Sequence, residues 1–214
     1  MDLLTDGLQV FLILTTFRLL ASSRLLAGVQ TVAVQGIVLG VLTLATHRAG
    51  LSLHIITLAG AMVALKGFIF PWLLVRALRE ANVRREIEPY VGYTPSILVG
   101  LCALGMSLWM GSRLQLLAGS ASRLALPGAL FVVLAGLFVI VARRTALMQV
   151  LGFLVMENGI YSFGVGRVGE MPFLLELGVL LDLFVAVFVM GIAIYHINRE
   201  FDHIQTDRLD SLKG

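Results

Sequence analysis

The stretch that decides the fold is Leu147-Met148-Gln149-Val150-Leu151-Gly152-Phe153-Leu154-Val155-Met156-Glu157-Asn158-Gly159-Ile160-Tyr161-Ser162-Phe163-Gly164-Val165. As a helix it is long enough to cross the hydrocarbon core of a bilayer, which takes about 20 predominantly apolar residues. It carries one charged side chain, Glu157, close to its middle. A carboxylate at that depth costs about 2.5–3.5 kcal/mol on insertion scales, and more by some simulations. A chain that keeps such a residue gives it a partner or a task.

Similar apolar runs recur from end to end, which excludes a soluble domain with a single anchor. Hydrophobic residues make up 58% of the 214 residues and charged residues 14%, with a mean hydropathy of +0.95. Soluble domains carry about 25% charge, so the composition points to an all-α integral membrane protein. Barrel strands would alternate polar and apolar over about ten residues, and these runs do not. The formal charge of +3 reflects loop arginines, with no basic face interleaved with aromatics for nucleic acid. The one cysteine, Cys102, cannot form an internal disulfide, and no Cys/His cluster offers a metal or haem site. Asp2 and Asp6 precede the first apolar run where a signal peptide has a basic region, so no cleaved leader is expected.

About seven transmembrane helices are predicted: Leu3–Leu20, Leu25–Thr46, Leu51–Val75, Pro95–Gly111, Leu124–Ala142, Thr145–Val165 and Pro172–Ile197. The alternative is six, with the N-terminal segment lying in the interface. Basic residues orient them. One set of loops, with the tail, holds Arg18, Arg24, Arg76, Arg79, Arg84, Arg85, Arg143, Arg144, Arg199, Arg208 and Lys213; the other holds Arg48, Arg113, Arg123 and Arg167. Basic residues favour the cytoplasmic side, which puts the N-terminus outside and the C-terminus in the cytoplasm. The loop from Arg76 to Tyr90 mixes Arg79, Arg84 and Arg85 with Glu80, Glu86 and Glu88. It reads as a solvated connector or, alternatively, a docking surface for a neighbouring subunit. The tail 198–214 is too short to be a domain.

Three ionisable residues fall near the centres of three different spans: Lys66, Glu157 and Asp182. None is within snorkelling distance of a helix end, so each must face protein or water. Their similar depth means that any chain of proton-transfer sites through them runs along the membrane plane. Pro71 follows Lys66 by five residues and excludes the normal bond to the Gly67 carbonyl, so a kink is expected close to the lysine. Burial disfavours the charged lysine and a nearby carboxylate favours it; alternation between the two would let Lys66 load and unload a proton. A static Lys–Glu pair holding helices together is the competing reading.

Glu157 has Asn158 beside it and Tyr161 one turn along the same face, both able to hydrogen-bond its carboxyl group. Gly152, Gly159, Gly164 and Gly166 make this helix smooth, which favours close packing. Glu176 lies six residues before Asp182, so it sits ~9 Å nearer the outer side and about 120° around the helix. It is a candidate for an access route rather than for the same site. His196, near the cytoplasmic end of the last span, and His54, near the outer end of the third, are candidates of the weaker kind. A histidine so placed more often caps a helix or meets water than shuttles protons. No phosphate-cradling loop, nucleophile elbow or metal-ligand spacing is present, so the chain is not expected to be an enzyme on its own.

The fragments Gly152-Phe153-Leu154-Val155-Met156-Glu157-Asn158-Gly159, Leu175-Glu176-Leu177-Gly178 and Asp182-Leu183-Phe184-Val185-Ala186-Val187-Phe188-Val189-Met190 resemble the hydrogenase-4 component E family. The third span, with Lys66 ahead of Pro71, and the terminal Leu212-Lys213-Gly214 resemble it too. The last three spans are similar to the three-helix K subunit of complex I and to the C subunit of multi-subunit cation/proton antiporters. Ala129-Leu130-Phe131-Val132-Val133-Leu134-Ala135-Gly136 leading to Arg143-Arg144 looks like the first helix and loop of that protein. In the complex I relative the acid corresponds to Leu154, one turn before Glu157, and Asp182 would stand for its second glutamate.

The resemblance implies a subunit of a membrane-bound hydrogenase, formate hydrogenlyase-like or complex I-like oxidoreductase in the prokaryotic inner membrane. It implies a single membrane domain made of a four-helix extension (1–123), a K-like unit (124–197) and a tail. Implied partners are antiporter-like and complex I H-like membrane subunits, lipid, and hydrophilic hydrogenase and iron–sulfur subunits. Nickel–iron and iron–sulfur centres would lie in those partners, leaving no cofactor here. The implied task is part of a lateral proton or sodium path, with Glu157, Asp182, Lys66, Glu176, Tyr161 and His196 as its candidate residues. A structural adaptor or an antiporter subunit is the alternative.

Overall fold

The computed structural model describes residues 2–46, 52–80, 89–118 and 124–165, together with 184, 187 and 191. Among these residues the chain is helical, with α1 at Asp2–Ala21, α2 at Leu25–Thr46, α3 at Leu53–Met62 and a π-helical segment at Val63–Ile69. These are followed by α4 at Phe70–Glu80, α5 at Tyr93–Ala118, α6 at Ala125–Ala142 and α7 at Ala146–Val165. A bilayer offers no partner for backbone amides and carbonyls, so long apolar runs settle into helices that satisfy their own. Among the described residues, six helices are long and apolar enough to cross a membrane. They are α1, α2, the continuous run Ile55–Arg79, α5, α6 and α7. The expected seventh span, Pro172–Ile197, lies outside the described residues apart from the helical Phe184, Val187 and Gly191.

α1 is a full member of the bundle, packed on α2, α5 and α6. α2 is central: α1, α7 and all three parts of the third span pack against it. α5 is peripheral, resting on α6 and α1, and turns Leu98, Leu101 and Trp109 outward. The tightest contact joins α6 to α7. A Cβ on Gly136 would strike the Met156 amide nitrogen and come 2.7 Å from the Gly152 carbonyl oxygen. One on Gly159 would lie 2.7 Å from the Val133 nitrogen and 2.9 Å from the Ala129 oxygen. These glycines let the two backbones touch, the close approach expected of Gly152 and Gly159. Among the described residues nothing lies within 4 Å of a Cβ on Gly164, and Gly166 is outside the described residues.

The third span begins at Ser52, whose hydroxyl accepts from the Ile55 amide at 3.3 Å and so satisfies one of the free donors of the first turn. Proline at 71 cannot donate and its ring crowds the carbonyl four residues back. The expected kink takes the form of a wider turn: from Val63 to Ile69 the helix is π-helical, and the Phe70 amide reaches back five residues to the Leu65 carbonyl. Lys66 sits in the middle of that turn.

Candidate functional site

Two of the three expected charges meet. Lys66 Nζ lies 3.1 Å from Glu157 Oε2, with the side chains 1% and 2% exposed. The elements bring them together for local reasons. The π turn carries Lys66 on its α2-facing side, and Gly36 of α2 lets it come close, since a Cβ there would fall 2.6 Å from the Lys66 Cβ and 2.7 Å from its carbonyl carbon. Glu157 is carried in from the other side by α7, which the α6 glycine contact fixes in depth.

The pair is not isolated. Lys66 Nζ also donates to Asn158 Oδ1 at 3.3 Å, and Asn158 Nδ2 donates to Gln35 Oε1 at 3.2 Å. Gln35 Nε2 in turn donates to the hydroxyls of Thr15 (3.1 Å) and Thr16 (3.0 Å) on α1. Both threonines pass their own hydrogens to backbone carbonyls one turn earlier, Thr15 to Leu12 or Phe11 and Thr16 to Leu12. All six side chains are buried. A polar row therefore crosses four helical segments, from α7 and the third span through α2 to α1.

Two further pairs lie toward the other end of α7. Tyr161 and Thr43 of α2 share a hydrogen bond at 3.1 Å. Gln9 of α1 and Ser162 exchange bonds of 2.8 and 3.1 Å. Glu157, Asn158, Tyr161 and Ser162 thus form one polar stripe on α7, each met by a polar group of another helix. This corrects an expectation. Asn158 and Tyr161 do not bond the Glu157 carboxyl group; the amide serves Lys66 and Gln35, and the hydroxyl serves Thr43. A four-residue step carries a side chain one turn along the axis, into the next layer of α2, so Tyr161 meets what that layer offers.

Asp182, Glu176 and His196 lie outside the described residues, as does the side chain of His54. Among the described residues no three His, Cys, Asp or Glu side chains converge as a metal site would require. Arg143, expected in the loop that joins two spans, lies there between α6 and α7. It is fully buried (0% exposed). Its guanidinium donates to the Leu20 carbonyl at 2.8 Å and the Val91 carbonyl at 3.4 Å, and lies 4.5 Å from the Tyr93 ring centroid. It ties the ends of α1, α5 and α6 together on the face where Arg18 and Arg24 also lie.

Sequence reasoning passed over Gln9, Thr15, Thr16, Gln35 and Thr43. One signal could have found them. Gln35 and Thr43 are eight apart and Gln9 and Thr16 seven, the spacing of a single helical face.

Chemically, a lysine and a glutamate in contact inside the bundle can exchange a proton, here between Nζ and Oε2 at 3.1 Å. Glu157 is an acid placed where water is sparse, and Lys66 is the base that makes its charge tolerable. The amides of Asn158 and Gln35, which stand between Lys66 and the threonine hydroxyls, do not readily carry protons themselves.

No family model and no solved structure matches the chain. It is 30% identical over 213 residues to the uncharacterized protein Rv0085 of Mycobacterium tuberculosis, covering 99% of this chain and 97% of that one. It is 29% identical over 151 residues to hydrogenase-4 component E of Escherichia coli K12, covering 70% of this chain and 69% of that one. The Shigella flexneri hydrogenase-4 component E matches to the same extent.

Proposed function

The chain belongs to one family with the mycobacterial protein Rv0085, and from that premise, with its distant kinship to hydrogenase-4 component E, we propose that it is a noncatalytic membrane subunit of a hydrogenase-4-type or complex I-like oxidoreductase. Its task on this reading is to supply part of a lateral proton or sodium path. The observation that carries the reading is the Lys66–Glu157 pair, buried in mid-bundle and joined to a polar row over four helical segments. A site that only had to seal the bundle would be served as well by apolar side chains of similar volume, since a buried ion pair seldom adds net stability.

Transfer runs in the membrane plane. A proton arriving at Glu157 neutralises it, and Lys66 then loses the carboxylate that favours its charge. When Lys66 passes its proton on, the pair is left neutral, and transfer of the Glu157 proton to Lys66 restores the ion pair. Asp182 is the next acid along this line, Glu176 and His196 are the outer and cytoplasmic approaches, and Tyr161 extends the stripe toward the outer end. The N-terminus is outside and the C-terminus cytoplasmic, in a prokaryotic inner membrane. Residues 124–197 form the unit akin to the K subunit of complex I, and residues 1–123 form the extension that contributes Lys66. Nickel–iron and iron–sulfur centres belong to partner subunits, beside antiporter-like and complex I H-like membrane neighbours.

The direct contact of Lys66 with Glu157 also favours a second reading, an adaptor in which the pair holds helices together between the redox arm and an antiporter-like subunit. Glu157→Gln and Asp182→Asn separate the two. The path predicts an assembled complex with impaired coupled ion movement, and normal movement in both variants would sink it. The adaptor predicts failed assembly or no effect. Genes for a hydrogenase large subunit beside this one, as opposed to antiporter genes alone, distinguish both from a stand-alone antiporter.

A further inference from the structure

The hydrogen bonds behind Lys66 all point one way. Each threonine hydroxyl of α1 spends its single hydrogen on a carbonyl of its own helix, Thr15 on Leu12 or Phe11 and Thr16 on Leu12. Each is left with lone pairs only on the side facing α2. Gln35 must therefore present its amide nitrogen, whose two hydrogens go one to each threonine. Its carbonyl oxygen is then turned toward Asn158, which must answer with its own nitrogen. That leaves the Asn158 oxygen toward Lys66 Nζ. An amide reversed at either position would set donor against donor at one junction, so two hydroxyls on α1 dictate which end of Asn158 the lysine meets.

We propose that Thr15, Thr16 and Gln35 are positioning residues for the Lys66–Glu157 pair, an oriented relay that keeps an acceptor on Lys66 and so holds the proton on the lysine. The inference rests on that pair being the functional site. A charged ammonium needs acceptors and a buried one needs them most, so the Asn158 oxygen favours the ionised pair over the neutral one. The relay does not conduct, because passing a proton through an amide would leave it in the disfavoured imidic-acid form. It biases the site from hydroxyls of α1 that reach Lys66 only through the amides of Gln35 and Asn158.

The test is infrared spectroscopy of the intact complex at one fixed pH, reading the C=O band of a protonated carboxyl group. Thr15→Val with Thr16→Val keeps the shape and removes the acceptors. The expected result is a new carboxylic-acid band that disappears when Glu157→Gln is added. Thr15→Ser with Thr16→Ser keeps the hydroxyls and should give the native spectrum. Gln35→Met, close to isosteric, should reproduce the band and decides the matter if the valine pair fails to assemble. No band in either variant overturns the proposal, as does a band in the serine pair, which would mean that packing and not acceptor geometry sets the state. Normal ion movement in Glu157→Gln together with the band in the valine pair would remove the path and leave the relay. Impaired movement without the band would do the reverse.

Discussion

Gly36 of α2 lies against the backbone of Lys66 so closely that a methyl group there would sit 2.6 Å from the lysine Cβ. The lysine therefore depends on a residue with no side chain for its position. Gly36→Ala must push the π turn off α2, at a cost of about 1–3 kcal/mol for overpacking. The expected outcome is a lowered melting temperature of the complex together with lost ion movement. An alanine variant that melts and transports normally would show that the third span has room to move.

The Lys66–Glu157 pair should behave as a unit. Lys66→Met alone strands a buried carboxylate and is expected to cost about 3–5 kcal/mol. Lys66→Met with Glu157→Met removes both charges and should be more stable than the single variant. A double-mutant cycle on denaturation of the purified complex reads the coupling. Costs that simply add would mean that the contact carries no energy. Neither variant should move ions.

Arg143 serves carbonyls of two different segments, a use that suits a planar guanidinium fork and not an ammonium. Arg143→Lys should therefore resemble Arg143→Gln more than the native chain. Each charge-assisted bond lost is worth about 1.5–3 kcal/mol. The check is limited proteolysis near residues 22–24 and 89–92, where cleavage should quicken in both variants.

The α6–α7 seam offers an internal contrast. Gly136→Ala places a methyl group on the α7 backbone and should block normal assembly, whereas Gly164→Ala meets nothing within 4 Å and should be silent. Yields of assembled complex from the two variants test this directly. Equal yields would mean that the helices can part without cost.

Much of this could be read from residue order. Apolar runs of bilayer length leave the backbone no option but helices, and six of the expected spans recur with shifted ends. The meeting of Lys66 with Glu157 was one of several pairings that three charges at one depth allow. The π turn was foreseeable as a disturbance before Pro71 but not in form, because a proline says which bond is lost and not how the preceding turn widens. Gln35, Thr15 and Thr16 stayed hidden for a different reason. Hydroxyls in a helix usually bond their own backbone, as these do, and their second role emerges only when another helix brings an amide to them. The burial of Arg143 was not legible, because a basic residue at a span end looks the same in sequence whether it faces water or closes a joint.

The π turn has a consequence for how the third span keeps its faces. Bonds that reach back five residues instead of four accommodate one extra residue in the turn. The buried positions Ile55, Ala59, Met62 and Lys66 continue as Phe70, Leu74 and Leu78, while Ile69, where an undisturbed helix would next return to that side, is exposed. The span behaves as an ordinary helix with a single residue inserted, its two halves out of phase. A variant shortened by one residue of this turn, Phe68 or Ile69, should return the span to an ordinary helix while keeping Phe70, Leu74 and Leu78 on the buried side. A change of length here, unlike a change of side chain, would alter the site while leaving every residue of it in the chain.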